Sequence, residues 1–270
     1  LKGRYPEIMD DALVGEEARK LHADALLMIE NAAAKGWLEA AGVIGIFPAN
    51  AVGDEIELFC DATRSHVLTI LHTLRQQTDK GDDRPNRALA DYVAPKDTGL
   101  TDHVGLFALT TGIGIQEAVR EFEKNHDDYN AILLQSVADR LVEAFAELMH
   151  ARVRKEFWGY AANESLQNQA LIREDYRGIR PAPGYPACPE HSEKQTIFDI
   201  LSVSENTGIV MTESFSMHPA ASICGYYFAH PQASYFGVGK IDRDQVADYA
   251  RRKGMDLGLV EKWLPTNIGY

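Results

Sequence analysis

Residues 42–50 read GVIGIFPAN and residues 55–60 read EIELFC. The first is a short apolar run closed by Pro48, which suits a strand and a turn. The second alternates charged and apolar side chains, with the period of two of a half-buried strand. Together they predict an antiparallel hairpin. Further strand candidates are ALADYVAP (Ala88–Pro95), DHVGLFALT (Asp102–Thr110), GIVMTE (Gly208–Glu213), SICGYYFA (Ser222–Ala229) and SYFGVG (Ser234–Gly239). Helical patterns cover Glu16–Trp37, Gln116–Asn125 and Tyr129–Trp158. Two more cover Ser192–Leu201, with Ser192 as N-cap, and Asp242–Gly254, with an acidic start, a basic end and a glycine stop. Strands cluster in groups and do not alternate strictly with helices. That predicts an α+β domain with a largely antiparallel sheet. TDKGDDRPNR (Thr78–Arg87) is the one polar, flexible-looking stretch and is expected as an exposed loop.

Length and charge narrow the function. At 270 residues the chain has room for an ample core. The net charge of −13 argues against a nucleic-acid partner, which needs a basic stripe, and disfavours an anionic membrane surface. No apolar run reaches the length of a membrane helix. The three cysteines, Cys60, Cys188 and Cys224, are odd in number and scattered, which fits a reducing, cytoplasmic setting. The start, LKGRYPEIMDD, carries no apolar signal core and does not begin with methionine, so a piece of a longer protein is expected.

Chemistry-bearing patterns are few. On the helix Tyr129–Trp158, residues Leu134, Val137, Ala138, Leu141, Val142, Phe145, Leu148 and Met149 form one apolar stripe. Asp139 and Glu143 lie four apart on the opposite side, where pattern alone makes Glu143 a solvated acid. LTTGIGIQEAV (Leu109–Val119) has strand, Gly-x-Gly and helix in order, but Glu117 stands where a dinucleotide fingerprint needs its third glycine, so a tight turn is expected. Cys188 and His191 have a zinc-ligand spacing without a second pair, so no metal site is assigned. RGIRPAPGYPACPEHSEK (Arg177–Lys194) places Pro181, Pro183, Pro186 and Pro189 within nine residues. Proline fixes φ and removes a donor, so this is a stiffened, extended loop. It is either a rigid connector or a preorganised wall for a ligand.

RPAPGYPACPEH (180–191), FPAN (47–50), HTLRQQTDK (72–80), LADYVAPK (89–96), HDDYN (126–130) and ADRLVEAFAE (138–147) resemble the C-terminal activation domain of cobalamin-dependent methionine synthase. The likeness continues through RVRKEFWGYAANE (152–164), RDQVADYARRKGM (243–255) and the ending WLPTNIGY, so it spans essentially the whole chain. The resemblance implies a C-shaped α+β domain, 1–270, built on a twisted antiparallel sheet. It also implies S-adenosylmethionine as ligand, donating a methyl group when oxidised cob(II)alamin is repaired by reductive methylation. Cobalamin would be met through another domain of the full enzyme, and zinc belongs only to its homocysteine module. The electron donor would be flavodoxin or a flavin reductase. The alternatives are a non-catalytic docking module for such a flavin partner and, more distantly, a metal-dependent hydrolase using Cys188 and His191.

The resemblance also assigns the binding residues. Arg180 pairs with the ligand carboxylate, Ala182 and Gly184 offer backbone groups, and Tyr185 and Tyr235 contact the ligand. Glu143 and Glu174 sit near its cationic end, which overrides the solvated reading of Glu143. Phe236 stands where the family often has a second tyrosine, so one hydroxyl is lost. An Asp-Trp-Thr-Pro segment of the family lies upstream of the matched region, and joining it is expected to raise affinity. No general acid or base is assigned, because methyl transfer from a sulfonium needs no proton.

Overall fold

The structure, a computed structural model, describes residues 3–81 and 84–270. Helix α1 (Gly15–Lys35) ends on Gly36 in the left-handed region. The chain then runs through β1 (Glu39–Val52), β2 (Glu55–Phe59), β3 (Val67–His72) and β4 (Asp102–Ile113). Helices α2 (Ile115–Lys124), α3 (Asp128–Arg152) and α4 (Asn168–Ile172) follow, α3 continuing into a single π-helical turn at Val153–Phe157. After the proline loop come α5 (Glu193–Leu201), α6 (Val203–Thr207), β5 (Val210–Met211), β6 (Met217–His218) and β7 (Ser222–Tyr227). Helices α7 (Arg243–Lys253) and α8 (Leu257–Trp263) complete it. None of the helices among the described residues is long and apolar enough to cross a membrane.

The main sheet has the order β3-β2-β1-β4-β7, and every neighbouring pair is antiparallel. The α+β reading therefore holds, and the hairpin is β1–β2. Pro48 does not close its strand. β1 passes through it and stays paired to β4, while the ladder to β2 starts at Ala49. A proline lacks the N–H for one ladder only, so it is tolerated where one side of the strand has no partner strand.

Both sheet faces are covered. Along β4, Leu106 and Ala108 join one core with β2, α5 and Phe228, whereas Phe107 and Leu109 join a second core with α2 and α3. This is strand alternation with two buried faces, which is why β4 reads as an uninterrupted apolar run. The stripe of α3 packs on the second face, with Leu134, Val137, Ala138 and Val142 buried; Leu148 is exposed, off the contact. A third, smaller core joins α7 and α8 to Leu74, Val238 and Ile241.

Three strand expectations need correction. Ala88–Pro95 is a 3-10 turn at Leu89–Tyr92, because Asp91 turns back to accept from the Ala88 N–H at 2.8 Å. Ser234–Gly239 is extended but is no strand; Val238 donates once, to the Pro186 carbonyl at 2.8 Å. Gly208–Glu213 contributes only the two residues of β5. Conversely β3, VLTILH, is a strand that pattern reading passes over. Gly114, at φ +86°, makes the expected tight turn between β4 and α2. Of the loop Thr78–Arg87, Asp82 and Asp83 lie outside the described residues.

Candidate functional site

The proline loop is stitched to the edge of the sheet. Ile179 and Phe228 exchange backbone hydrogen bonds at 3.1 and 3.0 Å, and the Tyr226 N–H donates to the Pro181 carbonyl at 2.9 Å. Gly225 makes this approach possible: a Cβ there would lie 2.5 Å from the Pro181 carbonyl oxygen and 3.0 Å from the Phe107 ring. The loop then folds into a turn in which Gly184 donates to Cys188 at 2.7 Å and Tyr185 donates to Ala182 at 3.2 Å. Gly184 has φ +96°, and an added Cβ would meet the His191 ring at 2.3 Å. The loop is thus both a rigid segment and a wall.

What it walls is a cleft of ≈ 470 Å³ between α3, the loop and the segment after β7. Seven of the eight expected residues line it: Glu143, Glu174, Arg180, Ala182, Tyr185, Tyr235 and Phe236. Gly184 lines a neighbouring hollow of ≈ 560 Å³, which shares Tyr185, Pro186 and Gly237 with the cleft. The floor is apolar, from Pro181, Ala187 and Ile223. Glu143, off the apolar stripe of α3, lines the rim of the cleft with its side chain half exposed. Glu174 follows α4 with φ +58°, where a glycine is the usual residue. A glutamate in the left-handed region costs about 1–2 kcal/mol, and it is the one that brings a carboxylate to this rim.

Charge is arranged around Arg180, whose side chain is only 14% exposed. Its backbone N–H donates to the Tyr235 hydroxyl at 3.1 Å. Its Nη2 donates to Glu147 Oε1, and Nη1 lies 4.0 Å from Glu143 Oε2. Burial is the largest influence on Arg180 and opposes its charge, but the Glu147 hydrogen bond and charge, with Tyr235 and Tyr176, raise its pKa above that of a free guanidinium. Burial also raises the Tyr235 pKa, so it stays a neutral phenol. Glu147 was not singled out in the sequence. Its signal was the spacing of four from Glu143 on the same helix face.

Behind Arg180 lies a buried polar layer. Tyr176 donates to Glu147 at 3.3 Å and packs edge-on to His150 at 5.0 Å. Arg154, fully buried, sits 4.1 Å over the Tyr176 ring and binds Glu164 with two hydrogen bonds of 2.8 and 2.7 Å. His150 is stacked on Tyr227, and burial, with Arg154 and Arg180 nearby, holds its pKa well below 6.5.

Cys188 and His191 sit in different surroundings. Cys188 is buried in the first core, and burial raises its thiol pKa strongly. His191 Nδ1 accepts from Lys194 Nζ at 3.1 Å, and burial and that lysine lower its pKa. Among the described residues no group of three or more His, Cys, Asp or Glu side chains is placed to hold a metal.

The sequence profile of the family described as "Vitamin B12 dependent methionine synthase, activation domain" matches residues 1–254. The chain belongs to that family. A solved structure, described as the crystal structure of the MetH reactivation domain bound to AdoHcy, superposes on this activation domain with a TM-score of 0.97. The two are 54% identical, and the match covers 100% of this chain and 83% of that one. The five-stranded antiparallel architecture is therefore the fold of a reactivation domain.

Proposed function

We propose that this activation domain binds S-adenosylmethionine in the cleft beside the proline loop and presents its methyl group to a cobalamin-carrying domain for reductive reactivation. The observation that carries the reading is the sorted polarity of the cleft: one guanidinium, Arg180, faces two carboxylates, Glu143 and Glu174, above an apolar floor. That is the complement of a ligand with a carboxylate at one end, cationic groups nearby and a flat ring. The solved relative bound to AdoHcy, the demethylated form of such a ligand, supports the same assignment. A cleft of ≈ 470 Å³ is within the usual size for a ligand of this class.

Arg180 takes the carboxylate, for which a planar fork is suited. Glu143 and Glu174 face the ammonium and sulfonium. The Ala182 N–H and the Gly184 carbonyl, which the turn does not use, are the backbone groups left to offer. Tyr185, Tyr235 and Phe236 flank the ring. When bound, the sulfonium supplies a methyl group and leaves as a neutral thioether. The protein moves no proton. Its contribution is positioning, which is worth up to about 7–11 kcal/mol when geometry is favourable. Glu143 and Glu174 must not hold the sulfonium too tightly, since only stabilisation that is greater in the transition state accelerates transfer. The full reaction would take its electron from flavodoxin or a flavin reductase, and residues 1–270 would form one module of a longer cytoplasmic enzyme.

A thermal-shift titration with S-adenosylmethionine tests binding: stabilisation of about 2.7 kcal/mol is expected at a hundredfold excess over Kd. A separately made cobalamin module with a reductant should then show methyl transfer in the absorbance of its cobalt centre, whereas the domain alone turns nothing over. A pure docking module would give no ligand shift.

A further inference from the structure

We propose that Glu147 is a positioning residue that presets Arg180, and that it sets the preference of the cleft for ligands bearing an amino-acid head group. The inference rests on the reading that the cleft takes S-adenosylmethionine.

An arginine side chain is long and free, and it must be restrained before its fork can act as a template. Arg180 is restrained at two points. The Tyr235 hydroxyl takes its backbone N–H at 3.1 Å, and Glu147 Oε1 takes Nη2. Glu147 is itself held, because the same oxygen accepts from the Tyr176 hydroxyl at 3.3 Å. Tyr176 cannot shift easily, with Arg154 packed over its ring at 4.1 Å and His150 edge-on at 5.0 Å. Arg154 is in turn fixed by its two hydrogen bonds to Glu164. A chain of contacts thus runs from a fully buried arginine to the one whose fork faces the cleft.

The arm of Arg180 left over is Nη1. It makes no hydrogen bond among the described residues, and its 4.0 Å to Glu143 Oε2 is an ion-pair distance too long for one. Glu143 is the next carboxylate within reach. Without Glu147, Arg180 would close on Glu143, and the residues meant for the two ends of a zwitterion would neutralise each other. Glu147 therefore keeps the pair apart while touching neither end of the ligand.

The test compares two stable nucleoside thioethers, S-adenosylhomocysteine with the amino-acid head and 5′-methylthioadenosine without it. Calorimetry on the 270-residue chain should show Glu147→Ala lowering affinity for the first about tenfold, the loss of one charge-assisted contact, while the second changes less than about twofold. Glu147→Gln keeps an acceptor for Arg180 and should recover most of the difference. If Glu147→Ala fails to fold, Tyr176→Phe removes only the hydroxyl that steadies Glu147 and should give the same split, about threefold against none. Equal losses for both ligands would mark a merely structural residue, and no loss for either an idle one; each overturns the inference. Failure of the wild-type chain to bind either ligand would instead bring down the functional reading, and this inference with it.

Discussion

The proline loop carries a charged cluster at each end, and the two are built to opposite rules. At the Arg180 end the cluster borders a cleft. Nη1 is uncommitted, and the buried atoms Arg180 Nε and Glu147 Oε2 have no partner among the described residues. At the Glu190 end the cluster is sealed. Lys253 spends its three donors on Glu190 at 2.6 Å, Glu193 at 2.8 Å and Ser192 at 2.6 Å. Glu190 also takes the Ser192 N–H at 2.6 Å, and Glu193 takes the His72 N–H at 3.3 Å. Both carboxylates are 1% exposed. Saturation there fastens α7 to the loop and to α5. Spare capacity at the other end is what a binding site needs, because a group already satisfied gains nothing from a ligand.

The sharpest way to break this contrast is Lys253→Met. It leaves two buried carboxylates without their cation, and a loss of about 3–5 kcal/mol is expected in chemical denaturation. A stable Lys253→Met protein that had lost only ligand affinity would reverse the roles of the two ends. Arg180→Ala is the mirror experiment. S-adenosylmethionine affinity should fall by about 1.5–3 kcal/mol with the melting temperature little changed. A folded variant with an unchanged Kd would remove Arg180 from the site.

The layer behind Arg180 gives a pH signature. His150 is neutral in the fold, with a pKa well below 6.5, so the unfolded chain binds more protons below that pH. Stability should therefore fall as pH drops under 6.5, by up to about 1.4 kcal/mol per pH unit, until the folded pKa is reached. His150→Phe should flatten that slope in urea midpoints measured between pH 6.5 and 5. An unchanged slope would assign the acid sensitivity to His103 or His191, whose pKa values are also lowered. The smallest expected effect is that of Tyr235→Phe, which removes the acceptor for the Arg180 N–H. A loss of about 1 kcal/mol in affinity is expected, and equal losses for ligands with and without a carboxylate would place Tyr235 on the ring and not on Arg180.

The elements legible in the sequence were those whose burial is regular. Alternation in EIELFC and the apolar run of β4 gave the antiparallel sheet, and the stripe of α3 named its packed face. The misreadings have physical reasons. Ala88–Pro95 and Ser234–Gly239 have strand-like composition, but the first is turned by its own Asp91 and the second is held by contacts distant in sequence, among them Pro186, Tyr92, Gln76 and Asn267, so neither enters a ladder. β3 lacks alternation because it lies at the sheet edge with two exposed and three half-buried positions. At the site, the proline loop stood out because proline restricts any backbone, and family likeness supplied the cleft residues. Glu147 was missed because a glutamate on a helix is ordinary until its partner, thirty-three positions on, is known.

The ladder between β4 and β7 joins Thr110 to Ser222 and Gly105 to Tyr227. Closing so large a loop is slow, since its entropy must be spent before any contact rewards it. The proline loop hangs on β7 and the facing wall on α3, so the cleft exists only once this ladder has formed. A ligand that needs both walls has nothing to hold before that step. It should leave the refolding rate unchanged and act entirely by slowing unfolding, which makes residence of the ligand a measure of how long this domain stays intact.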